Sequence, residues 1–173
     1  MSEIICQTTE LCKNYKNFHA LQNVNFSINR GEIYGLVGEN GAGKSTLIRI
    51  LTGLAFKSSG IITLFGKTDH LQHERTKIGC TIEMPALYKD MTAKQNLEIQ
   101  RVQRGIPDKK CIRETLELVG LDNTEKKKVN NFSLGMKQRL ALAVALLGEP
   151  EFLILDEPVN GLDPTGIIEL REL

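Results

Sequence analysis

The sequence predicts an α/β fold: a core of strands that carries a helical insertion. Two observations lead there. β-prone and short apolar runs lie near both ends of the chain, and a block of capped, periodic helices lies between them. With 173 residues and neither an internal repeat nor a low-complexity segment, the chain suits one domain of ordinary size.

The elements follow in order. Ile4 to Leu11 is β-prone with mixed polarity. Val24 to Ile28 alternates apolar and polar, as a half-buried strand does. After the turn Asn29-Arg30-Gly31, the apolar run Ile33 to Val37 is bounded by glycines and reads as a fully buried strand. A glycine-rich loop, Gly38 to Gly43, leads into a helix from Lys44 to Leu54 with Leu47, Ile48, Ile50 and Leu51 apolar. Gly60 to Phe65 and Ile78 to Ile82 are further strands. Thr92 with Gln95 forms a capping box for a helix that runs to about Gln103. Pro107-Asp108 opens a second helix, ending at Gly120. Ser133 caps a third, with Met136, Leu140, Ala143, Val144 and Leu147 on one face. Phe152 to Leu155 is a buried strand ending in Asp156-Glu157-Pro158.

Composition excludes several classes. Lys and Arg total 22 against 21 Asp and Glu, a net charge of +1, so no basic excess exists to neutralise a nucleic acid backbone. The longest apolar stretch, Leu140 to Leu147, is far short of the roughly 20 residues that span a bilayer. The four cysteines are scattered without a Cys-x-x-Cys pair and read as reduced thiols of a cytosolic chain. His19, His70 and His73 read as surface residues, and Lys126-Lys127-Lys128 as a solvated loop.

Two segments carry chemistry. Gly38-Glu39-Asn40-Gly41-Ala42-Gly43-Lys44-Ser45-Thr46 fits the pattern Gly-x-x-x-x-Gly-Lys-[Ser/Thr]. Glycines let successive backbone N–H groups converge on one anion, and the following helix adds its positive end. Lys44 is spaced to reach β- and γ-phosphates, and the Ser45 hydroxyl to ligate Mg²⁺. The loop alone means nucleotide phosphates, since kinases, GTPases and motor ATPases all use it. The second segment is the acidic strand end. An apolar strand buried on both faces would deliver Asp156 at its carboxyl end to hold Mg²⁺, and Glu157 to polarise a water for attack on a γ-phosphate.

Asn131-Phe132-Ser133-Leu134-Gly135-Met136-Lys137-Gln138-Arg139 lies about twenty residues before the acidic end and resembles the signature motif of the ABC transporter ATPases. The family's usual Leu-Ser-Gly-Gly-Gln stands here as Phe-Ser-Leu-Gly-Met. Gly161-Leu162-Asp163 looks like the family's D-loop, with Asp163 as its acid. Tyr15 occupies the place of the aromatic that stacks on adenine, with Phe18 the competing candidate. The resemblance runs from about Ile4 to the last residue. It implies a P-loop NTPase of ABC type, with a RecA-like parallel core sheet, an N-terminal antiparallel β subdomain and a helical signature subdomain. The implied division is about 1–87 for the β subdomain and phosphate-loop core, about 88–148 for the helical subdomain, and about 149–173 for the acidic strand and D-loop.

The resemblance also implies the cofactor set and partners. ATP would lie on Tyr15, Gly38, Asn40, Gly41, Ala42, Gly43, Lys44, Ser45 and Thr46, with Mg²⁺ on Ser45, Glu83 and Asp156. Glu157 and Lys44 would be catalytic. Ser133 and Gly135 would close over ATP held by a second ATPase subunit, in a head-to-tail dimer expected to be a homodimer. A separate integral membrane permease would translocate the cargo, leaving this subunit cytoplasmic and peripheral on the inner membrane face. Glu83 replaces the glutamine usual in transporter ATPases. Within Ile-Glu-Met-Pro-Ala-Leu-Tyr, it resembles the lantibiotic immunity and bacitracin resistance exporters. The family's switch histidine, some thirty residues after Glu157, has no counterpart before Leu173. The expectation is therefore a chain incomplete at its C-terminus, with a gap in the central sheet: the complete subunit would hydrolyse ATP, while these 173 residues by themselves would at most bind nucleotide. Two alternatives stand beside the exporter: a soluble ABC-type ATPase acting on ribosomes or DNA, and a nucleotide sensor without turnover.

Overall fold

The computed structural model describes residues 3–82, 87–124, 126–160, 162 and 164–171. The chain divides into two compact units, residues 1–78 and 79–173.

The first unit is built on an antiparallel three-stranded sheet in the order β2-β1-β3, comprising β1 (Ile4–Tyr15), β2 (Phe18–Asn29) and β3 (Ser59–Leu64). β1 and β2 form one long hairpin closed at Tyr15 and Phe18, well beyond the shorter strands that alternation predicts. The alternation fails because the ladder is bulged. Glu10 and Asn23 take positive φ (49° and 47°), which inserts residues and changes which side chains face inward. Thr8 and Leu11, three apart, are thus both buried. The bulges are locked by polar bonds: Asn25 Oδ1 accepts from Glu10 N at 2.7 Å, and Cys12 Sγ donates to Asn23 Oδ1 at 3.1 Å. Cys6, Leu11, Ile62 and Leu64 form the apolar face of the sheet.

The same unit holds α1 (Lys44–Leu51) and the short α2 (Gln72–Arg75). α1 buries Leu47, Ile48, Ile50 and Leu51, as its pattern predicts. Its last carbonyls are satisfied from outside the helix. Arg75 donates through Nε to Leu51 O at 3.0 Å and through Nη2 to Ile50 O at 3.1 Å.

One expectation fails here. Residues 32–39 form no strand, and the run read as buried is open, with Ile33 100% and Val37 94% exposed. A strand buried on both faces needs a hydrogen-bonded neighbour and a covering layer. Among the described residues no strand pairs with this run. Tyr34 alone finds an aromatic contact, stacked on Phe26 with ring centroids 5.5 Å apart.

The second unit combines a two-stranded parallel sheet with helices. Its strands are β4 (Ile78–Thr81), which begins at the unit boundary, and β5 (Phe152–Leu155). β5 departs from the expected double burial: Ile154 is buried, while Leu153 and Leu155 on the opposite face stay partly open. Among the described residues, β4 alone pairs with it. β4 presses closely on the helices. A Cβ on Gly79 would lie 2.0 Å from Ala145 O and 2.7 Å from Pro150 Cγ, so only glycine fits.

Three helices, α3 (Ala93–Gln103), α4 (Lys110–Leu118) and α5 (Leu134–Leu146), enclose one apolar core. Leu97, Ile112, Val119, Leu121, Val129, Phe132, Leu140 and Leu147 are among its buried members. The capping box forms as expected, with Gln95 N donating to Thr92 Oγ1 at 3.3 Å and Thr92 N to Gln95 Oε1 at 2.9 Å. The α3–α4 connection is fixed by Arg101, which pairs with Glu98 (Nε to Oε2, 2.7 Å) and donates to the Ile106 carbonyl. Buried Asn96 clasps the chain before α3: it donates to Tyr88 O (3.1 Å) and Thr92 O (2.9 Å) and accepts from Tyr88 N (2.8 Å). A last helix, α6 (Pro164–Arg171), ends the described chain.

Candidate nucleotide site

The phosphate loop lies in the first unit, between the open run 33–37 and α1. Gly43 is the N-cap of α1 and takes φ 92°, a left-handed conformation that favours glycine. Crowding imposes the same choice, since a Cβ there would lie 2.4 Å from Ala20 O and 2.8 Å from Leu21 Cδ2. The loop is thus seated against β2, on the hairpin whose tip carries Tyr15 and Phe18. The α1 backbone starts with Leu47 N donating to Gly43 O at 2.9 Å, and no side chain caps the N-terminus. The first N–H groups of α1 have no intrahelical partner and are available to an anion. Ala42 N closes a turn onto Glu39 O at 3.2 Å. Lys44 Nζ donates to Gly38 O (2.6 Å) and Glu39 O (2.9 Å), which holds the ammonium over the start of the loop. Gly38, Asn40, Gly41 and Ala42 are exposed, and Ser45 and Thr46 are half-buried on the first turn.

Tyr15 is 45% exposed, and Phe18, its cross-strand partner, is more open still. The Lys13 ammonium lies 4.6 Å from the Tyr15 ring centroid, so that ring face already receives a cation.

In the second unit, Ser133 caps α5 by accepting from Met136 N at 3.2 Å, as its sequence context predicts. Gly135 is the second residue of the same helix and faces Leu162, whose Cδ2 is 3.8 Å from where a Cβ would stand. Arg139, part of the signature segment, donates to Val119 O at 3.3 Å and so ties α5 to the end of α4. Asp156 extends the β5 ladder by donating its N–H to Thr81 O at 3.0 Å, and its side chain is half-buried. Glu157 is exposed and takes φ 46°, uncommon for a residue with a side chain.

Residues 38–46 therefore form one contiguous loop and helix start in the first unit, while Ser133, Gly135, Asp156 and Glu157 belong to the second. Glu83 and Asp163 lie outside the described residues. Among the described residues, no three His, Cys, Asp or Glu side chains cluster as a protein-built metal cage. Sequence reasoning missed Asn160 and Gln138. Asn160 Nδ2 donates to Glu157 Oε2 at 2.9 Å, and Gln138 Nε2 donates to Asn160 O at 3.2 Å. A polar residue three places after the glutamate is the only signal the sequence offers for the first contact, and nothing marks the second.

The model of the ABC transporter family matches residues 21–160, from β2 to the turn after β5. The chain belongs to the ABC transporter ATP-binding family. Among curated relatives of this ABC protein, the bacitracin transport ATP-binding protein BcrA of Bacillus licheniformis is 49% identical over 175 aligned positions, covering 100% of this chain and 57% of the relative. The lantibiotic transport ATP-binding protein SrtF of Streptococcus pyogenes is 48% identical, with 94% of this chain and 70% of the relative covered. An uncharacterised ABC transporter ATP-binding protein of Bacillus subtilis, YcbN, is 47% identical over 98% of this chain and 56% of its own length. The chain thus spans a little over half the length of BcrA and YcbN. Among solved structures, cbiO1 of Clostridium perfringens, part of a transporter complex, superposes with TM-score 0.85 at 34% identity, over 98% of this chain and 72% of that one. An ATP-binding cassette solved in its ADP conformation gives TM-score 0.85 at 27% identity, over 98% and 74%.

Proposed function

We propose that this ABC subunit binds and hydrolyses ATP to drive export of a peptide antimicrobial through a separate membrane permease. The observation that carries the reading is the identity of 48–49%, over nearly the whole chain, to proteins named for bacitracin and lantibiotic transport. Loop geometry supports the nucleotide half of it, because the uncapped α1 start and Lys44 both favour a polyphosphate. Among the described residues no helix is long and apolar enough to cross a membrane. The subunit would then work at the inner membrane face, paired head to tail with a second copy, with Ser133 and Gly135 contacting the partner's ATP.

In this reading the loop amides and Lys44 bind the phosphates, and the hairpin tip offers Tyr15 to the adenine. Ser45, Asp156 and Glu83 carry the hard oxygen donors that Mg²⁺ takes, and we assign the ion to them. Bound there, Mg²⁺ would supply charge neutralisation to the β- and γ-phosphates. Glu157 accepts a proton from water as the water oxygen bonds to the γ-phosphorus. The bond from that phosphorus to the bridging oxygen breaks, and ADP leaves.

The test is resistance in a bacitracin-sensitive host that expresses the complete gene product with its membrane partner. Protection is expected to vanish with Lys44→Ala through lost ATP binding. Glu157→Gln should also abolish it, with ATP binding retained and hydrolysis lower by on the order of 100-fold or more. Protection and hydrolysis undiminished by Glu157→Gln would overturn the reading.

A further inference from the structure

The acidic turn after β5 is organised by two amide side chains. Glu157 sits on an exposed turn with backbone φ 46°, and a carboxylate on such a turn has no packing to choose its rotamer. Asn160 supplies the constraint. Its N–H donates to Glu157 O at 3.0 Å, which closes the turn, and its side-chain Nδ2 donates to Glu157 Oε2 at 2.9 Å. A second tie reaches α5: Gln138 Nε2, one helical turn beyond Gly135, donates to the Asn160 carbonyl at 3.2 Å. Both amide orientations are chemically forced, because a carboxylate and a backbone carbonyl can only accept.

We propose that Asn160 is a positioning residue for the reaction and that Gln138 links it to the signature helix. This rests on Glu157 being the base, as proposed above. Asn160 engages Oε2 of Glu157, and among the described residues Oε1 is left to accept from the attacking water. The amide thereby restrains the rotamer and biases which oxygen meets the water. Gln138 holds the Asn160 backbone, so the placement of the carboxylate depends on the first turns of α5, where Ser133 and Gly135 lie. A contact made at the signature serine is then felt at the base through two hydrogen bonds, with no need for a long path.

The experiment measures ATP hydrolysis by the complete gene product with its membrane partner, with nucleotide binding by each variant as the check on folding. Asn160→Ala is expected to lower kcat roughly ten- to a hundred-fold with little change in KM, as expected when a reacting group is misplaced rather than the substrate lost. Asn160→Asp keeps the shape but cannot donate while ionised. It should be about as slow as Asn160→Ala, again with KM little changed, whereas a purely structural asparagine would weaken nucleotide binding together with kcat. Gln138→Ala should lower kcat by less, and Gln138→Ala with Asn160→Ala should be no slower than Asn160→Ala alone. Should Asn160→Ala fail to bind nucleotide, the near-isosteric Asn160→Asp carries the test. The proposal is overturned if Asn160→Asp stays within twofold of wild type, or if the two alanine effects multiply. Glu157→Gln separates the layers. An inactive Glu157→Gln beside a normal Asn160→Asp defeats the positioning role alone, whereas a fully active Glu157→Gln removes the base assignment and this proposal with it.

Discussion

Two apolar runs of similar length lead into the two chemical segments of this protein, and they end up differently. Phe152 to Leu155 is a strand because β4 lies beside it and Ile154 is covered. Ile33 to Val37 is no strand, and Ile33 is fully open. By composition the second run is as good a strand as the first. What separates them is a hydrogen-bonded neighbour. Apolar residues supply the drive to bury a strand, but the ladder has to be completed by another segment.

Removing the neighbour from the paired run should give the largest effect. Gly79→Val drives side-chain atoms into Ala145 O and Pro150, displacing β4 from β5. Chemical denaturation followed by circular dichroism should show a loss of about 3 kcal/mol or more. A matched pair of substitutions sharpens the contrast. Ile154→Ala, at a site 9% exposed, should cost about 2–4 kcal/mol, while Ile33→Ser in the same chain should stay within about 0.5 kcal/mol of wild type. Equal losses at the two positions would mean that the run from Ile33 to Val37 is buried after all. The smallest effect concerns the sheet that pairs fully. Cys6 is completely buried in β1, and burial pushes its thiol from the ordinary 9.0 up to about 12. A raised pKa means that its contribution is whole below pH 9 and is lost as the pH climbs toward 12, because only the unfolded chain releases the proton. Denaturation at pH 8, 9.5 and 10.5 should show stability declining over that range, and Cys6→Ala should flatten the decline.

What the sequence disclosed follows the same division. The phosphate loop, the Thr92–Gln95 box and the Ser133 cap are legible because each is complete within a few consecutive residues and depends on backbone groups or one short side chain. The long hairpin was only half legible, since the positive φ of Glu10 and Asn23 shifts the alternation that reveals a strand. The contacts organising Glu157 were barely legible. Gln138 and Asn160 are 22 residues apart, and an exposed Gln or Asn looks the same whether or not it holds a partner.

The Asn96 clasp has a mechanical consequence. With both side-chain donors and an acceptor position engaged by the backbone of Tyr88 and Thr92, the stretch from Tyr88 to Thr92 is stapled to α3 at two points. Leu87 packs on the helical core beside it. The stretch and the helix then travel as one stiff arm. A displacement imposed at Tyr88 would therefore be passed to α3 through three hydrogen bonds rather than through apolar contacts alone.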